Sequence, residues 1–314
     1  MIKAIVPLKL TLFGEHAVVY GRPAIAFTIS EHLAVTVKDS DEFLIKSDEL
    51  PIKGVKVNLR DFKIENERIK GLLAYVIEAI KYFGEEKKAE ISIESSVEPS
   101  VGLGTSAAVT VGTVAAYSAF LGKKLSKEEI AKISHEVELR VQGIASKMDT
   151  HTEALGGFVY FDERGGLQQL GRVNISFSAG YFRRFMTTAE MLKRVRKLKE
   201  KYSKLFDNLL DEIAEITKMG KEALIRSDED EVGYLMYLNH GLLFSLGVTA
   251  PVLDNFVSTA KLMGIKGCKM SGGGAGGAVV CTRDDRVNVL MDVMGARRIN
   301  AEPTFTGVQI FSED

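Results

Sequence analysis

An α+β fold is the class this sequence predicts, and three observations lead to it. Apolar, strand-like segments crowd the first 45 residues, at 2–6, 24–29, 33–37 and 43–45. Helical spacing dominates later, most densely between residues 189 and 263. Two glycine-rich loops, at 98–108 and 271–277, stand outside the strand–glycine–helix units from which parallel α/β sheets are built.

Taken in order, the strand at 2–6 runs into PLKLTLFGEHAVVYGRPAIAF. There Leu10, Leu12, Ala17, Val18 and Val19 surround the polar Lys9, Glu15 and His16, and Gly14, Gly21 and Pro23 mark turns. Strands joined by a tight, charged loop are expected. Ile69, Leu72, Leu73, Val76, Ile77 and Ile80 share one helix face, which Gly84 can end. Ala89, Ile91 and Ile93 alternate with polar residues as a half-exposed strand does. Residues 107–121, small, apolar and without proline, predict a helix. Ser126 and Glu129 form an S-x-x-E capping box for another, with Ile130, Ile133, Val137 and Val141 facing inward up to Gly143. IASKMDTHTEAL reads as a polar loop leading to Gly156, Gly157 and a strand at 158–161.

Loop and extended structure at 163–167 and 171–179 suggest a boundary, giving domains at 1–168 and 169–314. Thr188 can cap a basic helix over 189–201, with Leu192, Val195 and Leu198 buried and the Lys and Arg residues solvated. Helices are expected at 205–225, 230–244 and 251–263. A strand at 267–270 enters SGGGAGG and another at 278–281 leaves it; a helix at 287–294 and strands at 297–299 and 307–311 follow.

Composition excludes several function classes. With 314 residues, 46% hydrophobic and 26% charged, the chain suits one large or two medium globular domains. A net charge of −1 gives no reason to expect nucleic acid or an anionic membrane as partner. MIKAIVPLK has too short an apolar run for a signal peptide, and 107–121 is too short and too rich in Thr, Ser and Gly to span a bilayer, so a cytoplasmic location is expected. Cys268 and Cys281 sit in apolar contexts without metal-ligand spacing and read as buried free thiols. His135, His151 and His240 share no metal spacing and read as core or surface residues.

The chemistry concentrates around EPSVGLGTSAA, where Gly102, Gly104, Thr105 and Ser106 precede a helix. Glycine lets a ligand approach the backbone, and the free N–H groups and positive dipole end of a helix suit phosphate. Alone the signal is weak, and a plain tight turn satisfies it equally. Gly102-x-Gly104-x-x-Ala107 imitates the dinucleotide fingerprint, but Pro99 interrupts the approach and a helix start follows residue 121. Gly272-x-Gly274-x-x-Gly277 fails the same test by lying between strands, and no Walker G-x-x-x-x-G-K-[ST] occurs. If the first loop holds phosphates, transfer needs a metal, a cation and a group to take the acceptor's proton. Ser106 and Glu138 offer oxygen ligands to Mg²⁺, Asp149 a base and Lys9 a cation, although each singly is as easily an ordinary surface residue.

The joint pattern resembles the GHMP kinases. LFGEHAVVYGRPA (residues 12–24), GLGTSAA and KMSGGGAGG are similar to that family's three motifs, in the family's order and across most of the chain. Within the family the first segment is most similar to the branch acting on mevalonate. The resemblance implies a ribosomal protein S5 domain 2-like N-terminal domain, a ferredoxin-like C-terminal domain, and a site between them. It implies ATP-dependent phosphorylation of (R)-mevalonate, phosphomevalonate being the rival acceptor and a silent ATP-binding sensor the rival of another class. Lys9 and Asp149 match the catalytic pair; Ser106 and Glu138 match the Mg²⁺ ligands; Lys9, Glu15, His16, Asp149 and Thr188 match the substrate side. ATP is implied at Pro99, Ser100, Val101, Gly102, Leu103, Gly104, Thr105, Ser106 and Ala107, and at Gly272, Gly273 and Gly274. Mevalonate and ATP are the implied partners, with a homodimer left open.

Departures from the family pattern are also visible. Pro7-Leu8-Lys9 lacks the family's glycine, Lys147 is a surface cation or a contact for a substrate carboxylate, and Ser271 replaces threonine. Gly273 stands where the family has alanine and Ala275 where it has glycine, which moves the flexible points of the loop.

Overall fold

A computed structural model describes residues 1–47, 52–56, 67–84, 87–98, 101–186 and 188–312, without the side chains of 52–56, 67–70, 188 and 189. The first strand, β1 (Ile2–Phe13), is longer than the apolar run at 2–6 suggests. Val6–Phe13 are buried on both faces, so alternation is absent and periodicity cannot reveal the strand. A 3-10 turn at Ala17–Tyr20 leads to β2 (Ala24–Asp39), which joins the two strands expected at 24–29 and 33–37 into one. Its first part pairs on one edge with β6 (Phe158–Phe161), its last part with β5 (Ala89–Ser95). With β3 (Leu44–Ser47), β4 (Ile52–Lys56), β7 (Leu167–Gln169) and β12 (Gln309–Ser312) these form a sheet of order β12-β1-β2-β5-β3-β4, to which β6 and β7 attach beside β2. The β12 strand, from the far end of the chain, pairs antiparallel with the start of β1.

Among the described residues four helices accompany this sheet: α1 (Glu67–Tyr82), α2 (Thr105–Phe120), α3 (Lys127–Gln142) and α4 (Met148–Leu155). The capping box is present, with the Ser126 hydroxyl accepting from the Glu129 N–H and the Glu129 carboxylate accepting from the Ser126 N–H. In α2, Thr105 and everything from Ala107 to Ser118 is buried, so small residues serve all faces and no apolar stripe is visible. α4 is a correction to the expected polar loop. Its Thr150, His151, Thr152 and Glu153 are polar yet buried, and burial rather than composition decides the segment's state.

The second layer is an antiparallel sheet of order β11-β8-β10-β9, made of β8 (Phe177–Phe182), β9 (Cys268–Ser271), β10 (Gly277–Thr282) and β11 (Arg297–Ile299). Among the described residues α7 (Glu229–Ser245), α8 (Pro251–Leu262) and α9 (Asp285–Met294) pack on it, and α6 (Ser203–Ile225) lies against α7 and, with α5 (Thr188–Lys201), completes this half. Pro251 opens α8 where its missing N–H costs nothing. The free-thiol expectation is also corrected. Antiparallel register sets Cys281 of β10 opposite Cys268 of β9, and the two form a disulfide between buried strands. Ser271 fastens the two sheets: its hydroxyl accepts from the Thr11 N–H at 2.8 Å and donates to the Thr11 carbonyl at 2.9 Å. Among the described residues no helix is long and apolar enough to cross a membrane.

Candidate active site

Lys9 lies midway along β1 with its side chain 2% exposed. Its Nζ pairs with Asp149 Oδ1 at 2.8 Å and donates to Thr11 Oγ1 at 3.0 Å, so the ammonium has a fixed direction. The Lys9 backbone N–H donates to the Leu103 carbonyl at 3.2 Å, fastening the strand to the glycine loop. Where the family's glycine is missing, the register of β1 against β2 shifts between Pro7 and Lys9, and the strand bends there as at a bulge. Asp149 occupies the first turn of α4, not a loop, and is 34% exposed at its side chain. Lys147, just before α4, is exposed.

Gly102 and Gly104 both take positive φ, 91° and 81°. Gly104 is the N-cap of α2 and, having no side chain, makes no side-chain cap of its own. A Cβ there would overlap Glu153 Oε1 and stand 3.0 Å from Lys9 Cε, so only glycine fits this junction. Ser106 is the second residue of α2 and half-buried. Glu138 is buried in α3; desolvation pushes its carboxyl up to about 8, the nearby Asp149 adds to the shift, and Lys9 opposes it. Val101, Leu103, Thr105 and Ala107 are buried around the loop, whereas Pro99 and Ser100 lie outside the described residues.

A second cluster follows β1. Glu15 is buried and pairs with Lys269 Nζ, which also donates to the Met270 carbonyl at 2.7 Å. Among the described residues the other carboxylate oxygen of Glu15 has no hydrogen-bond partner, and burial pushes the carboxyl up against the opposing pull of Lys269. His16, at φ 62°, turns a buried imidazole beside the second glycine loop. Burial drives its pKa down to about 4; the backbone of Gly273 acts the other way, and the Arg184 charge lowers it further. Arg184 Nε donates to the Gly274 carbonyl at 3.1 Å. The two glycine loops abut, since a Cβ on Gly272 would lie 2.7 Å from the Gly102 carbonyl. Ala275 is itself in the left-handed region at φ 58°.

The structure thus brings Lys9, Asp149, Glu138 and the Gly102–Ser106 segment together, and Glu15 and His16 with Gly273. Thr188 begins α5, but its side chain is outside the described residues. Three residues escaped the sequence reading: Lys269, Glu153 and Arg184. Lys269 is the first letter of KMSGGGAGG, a segment whose glycines, Ser271 and Ala275 carry the sequence signal. Glu153 falls one turn beyond Asp149 and becomes visible only once that segment is taken as a helix. Among the described residues no group of three or more His, Cys, Asp or Glu side chains could hold a metal. The arrangement is a carboxylate–lysine pair at the glycine-capped N-terminus of a helix, suited to moving a phosphoryl group onto a hydroxyl.

Comparison with known proteins agrees with that chemistry. The family description "GHMP kinases N terminal domain" matches residues 72–157, and "GHMP kinases C terminal" matches 221–295. The mevalonate kinase of Saccharolobus solfataricus is 56% identical over 99% of both chains. That of Pyrococcus abyssi is 37% identical, with 89% of this chain and 88% of the other covered. The crystal structure of the Methanococcus jannaschii mevalonate kinase superposes with a TM-score of 0.81 at 30% identity, covering 97% of this chain and 98% of that one. The chain belongs to the mevalonate kinases of the GHMP kinase family.

Proposed function

We propose that this protein transfers the γ-phosphoryl group of ATP to the primary hydroxyl of (R)-mevalonate, giving (R)-5-phosphomevalonate for isoprenoid synthesis. The observation that carries the reading is the 2.8 Å Lys9–Asp149 pair beneath the glycine-capped start of α2. Triphosphate oxygens would lie against the N-terminus of α2, with Gly102–Ser106 as the cradle and the Gly272–Gly274 loop packed against it. Asp149 would accept the hydroxyl proton as the new O–P bond forms and the bond to the ADP oxygen breaks. Lys9 would hold that carboxylate in line and offset charge on the transferring group.

Mg²⁺ belongs to this reading, and the residues fit it. Ser106 and Glu138 supply hard oxygen donors, and a buried carboxyl pushed to about 8 gains from a cation that replaces its proton. Two protein ligands are enough for a metal that takes its remaining positions from phosphate and water. When bound, the ion would neutralise triphosphate charge.

Acceptor recognition falls to the second cluster. The free oxygen of Glu15 and the neutral His16 suit hydroxyl groups, while Arg184, beside both His16 and the Gly274 carbonyl, suits a carboxylate. The domains would divide near residue 168. The test is an ADP-release assay with (R)-mevalonate, phosphomevalonate, galactose and homoserine. Turnover with mevalonate at least 100-fold above the others supports the reading, and preference for phosphomevalonate overturns it.

A further inference from the structure

Glu153 is fully buried, and neither of its carboxyl oxygens has a hydrogen-bond partner among the described residues. Its position is specific. It sits four residues after Asp149 on α4, on the same helix face, and Oε1 fills the space beneath Gly104 where any side chain at that position would project. The stem of Lys9 lines the same space from β1, with Cε and Cγ 3.0 and 3.1 Å from that point. One carboxyl therefore touches the junction at which the glycine loop becomes α2, next to the proposed base and its lysine.

The charges around it fix the form in which such a group can work. Asp149 on α4 and Glu138 on α3 face it with like charge, and Lys9 on β1 is the opposing cation. An ionised Glu153 would set a further negative charge against the positive end of α2, where it would compete with triphosphate. A neutral carboxyl occupies the same volume, keeps a donor and an acceptor, and leaves the helix terminus to the ligand. Burial, reinforced by Asp149, holds this carboxyl well above the usual carboxylate range.

We propose that Glu153 is a positioning residue that props Gly104 and the Lys9 stem so that the N-terminus of α2 receives the nucleotide phosphates. The inference rests on reading Gly102–Ser106 as the nucleotide site. It makes no claim about the acceptor.

The test compares E153Q, E153M and E153A by calorimetric binding of MgADP, which needs no acceptor, and by steady-state kinetics with ATP varied. E153Q keeps the shape and the neutral polar end, so MgADP affinity and kcat within threefold of the parent are expected. E153M also fills the space and stays within threefold of the parent, whereas E153A empties it. For E153A, MgADP affinity falls and the KM for ATP rises at least tenfold, with a smaller change in kcat. Should E153A not fold, E153D, which shortens the prop, decides by the same readouts. A tenfold loss of binding in E153Q overturns the neutral-strut assignment, because a charge would then be required. Parent-like binding in E153A overturns any positioning role. A mistaken acceptor abolishes the kinetic signal but leaves the MgADP ranking intact, so the two failures are separable.

Discussion

Replacing Gly104 by alanine perturbs the junction on which the whole site rests, and its cost can be worked from two glycines. Gly104 (φ 81°) and Gly143 (φ 76°) are both left-handed, so an alanine at either carries the same backbone penalty, about 1–2 kcal/mol. At Gly143, the C-cap of α3, a new Cβ meets nothing within 4 Å. At Gly104 it overlaps Glu153 Oε1 and presses on Lys9 Cε at 3.0 Å, which adds an overpacking cost of about 1–3 kcal/mol. G104A therefore unfolds in urea with a stability about 1–3 kcal/mol below that of G143A. Because Lys9 and Glu153 must move, its kcat falls at least tenfold, while G143A keeps parental kcat; a misplacement approaching 1 Å costs about 10²-fold. Urea melts and a coupled ADP-release assay read both quantities. Equal stability in the two variants, together with parental turnover in G104A, would refute the claim that the junction admits only glycine.

Three further outcomes are expected. A275G gains about 1 kcal/mol in urea melts, because Ala275 is held at φ 58°, a conformation glycine adopts freely; unchanged or lowered stability contradicts this. K269M leaves the buried Glu15 carboxylate without its cation and loses about 3–5 kcal/mol, and adding E15Q restores part of the loss; a simple sum of the two single effects contradicts the pairing. His151 has a pKa of about 4 because it is buried, with His135 and Lys147 adding to the effect and the Lys147 carbonyl opposing it. Below its usual 6.5 the unfolded chain takes up a proton that the folded state refuses, so the parent loses stability as pH falls from 6.5 towards 4. H151Q escapes that loss, and the difference between the two proteins shifts in its favour by roughly 2–3 kcal/mol between pH 7 and pH 4.5. A pH-independent difference contradicts it.

The sequence revealed most where one residue type has one physical use. The capping box of Ser126 and Glu129, the stop at Gly143, the inward face of α1 and the placing of SGGGAGG between strands could all be read from residue chemistry alone. Burial on every side hid the rest. β1 has no alternation after Val6, and α4 carries polar residues, Thr150 to Glu153, that are buried. Long-range pairing was equally hidden. Nothing local shows that β12 returns to β1, that Cys281 faces Cys268, or that Lys269 reaches Glu15. Lys9, Glu138 and Asp149 could be named from the family resemblance, whereas their nearness to the glycine loop comes from β1, which the Lys9 N–H fastens to the Leu103 carbonyl. Glu153 shows the limit most clearly. Its importance depends on the space left by an absent side chain at Gly104.

The central claim is that Asp149, held by Lys9 at the start of α2, takes the proton from the acceptor hydroxyl. Single-turnover phosphorylation of (R)-mevalonate by D149N, with the MgATP dissociation constant measured on the same sample, tests it most directly. A rate about 10²–10⁴-fold below the parent is expected, with nucleotide affinity within about threefold. A parental rate in D149N would contradict it.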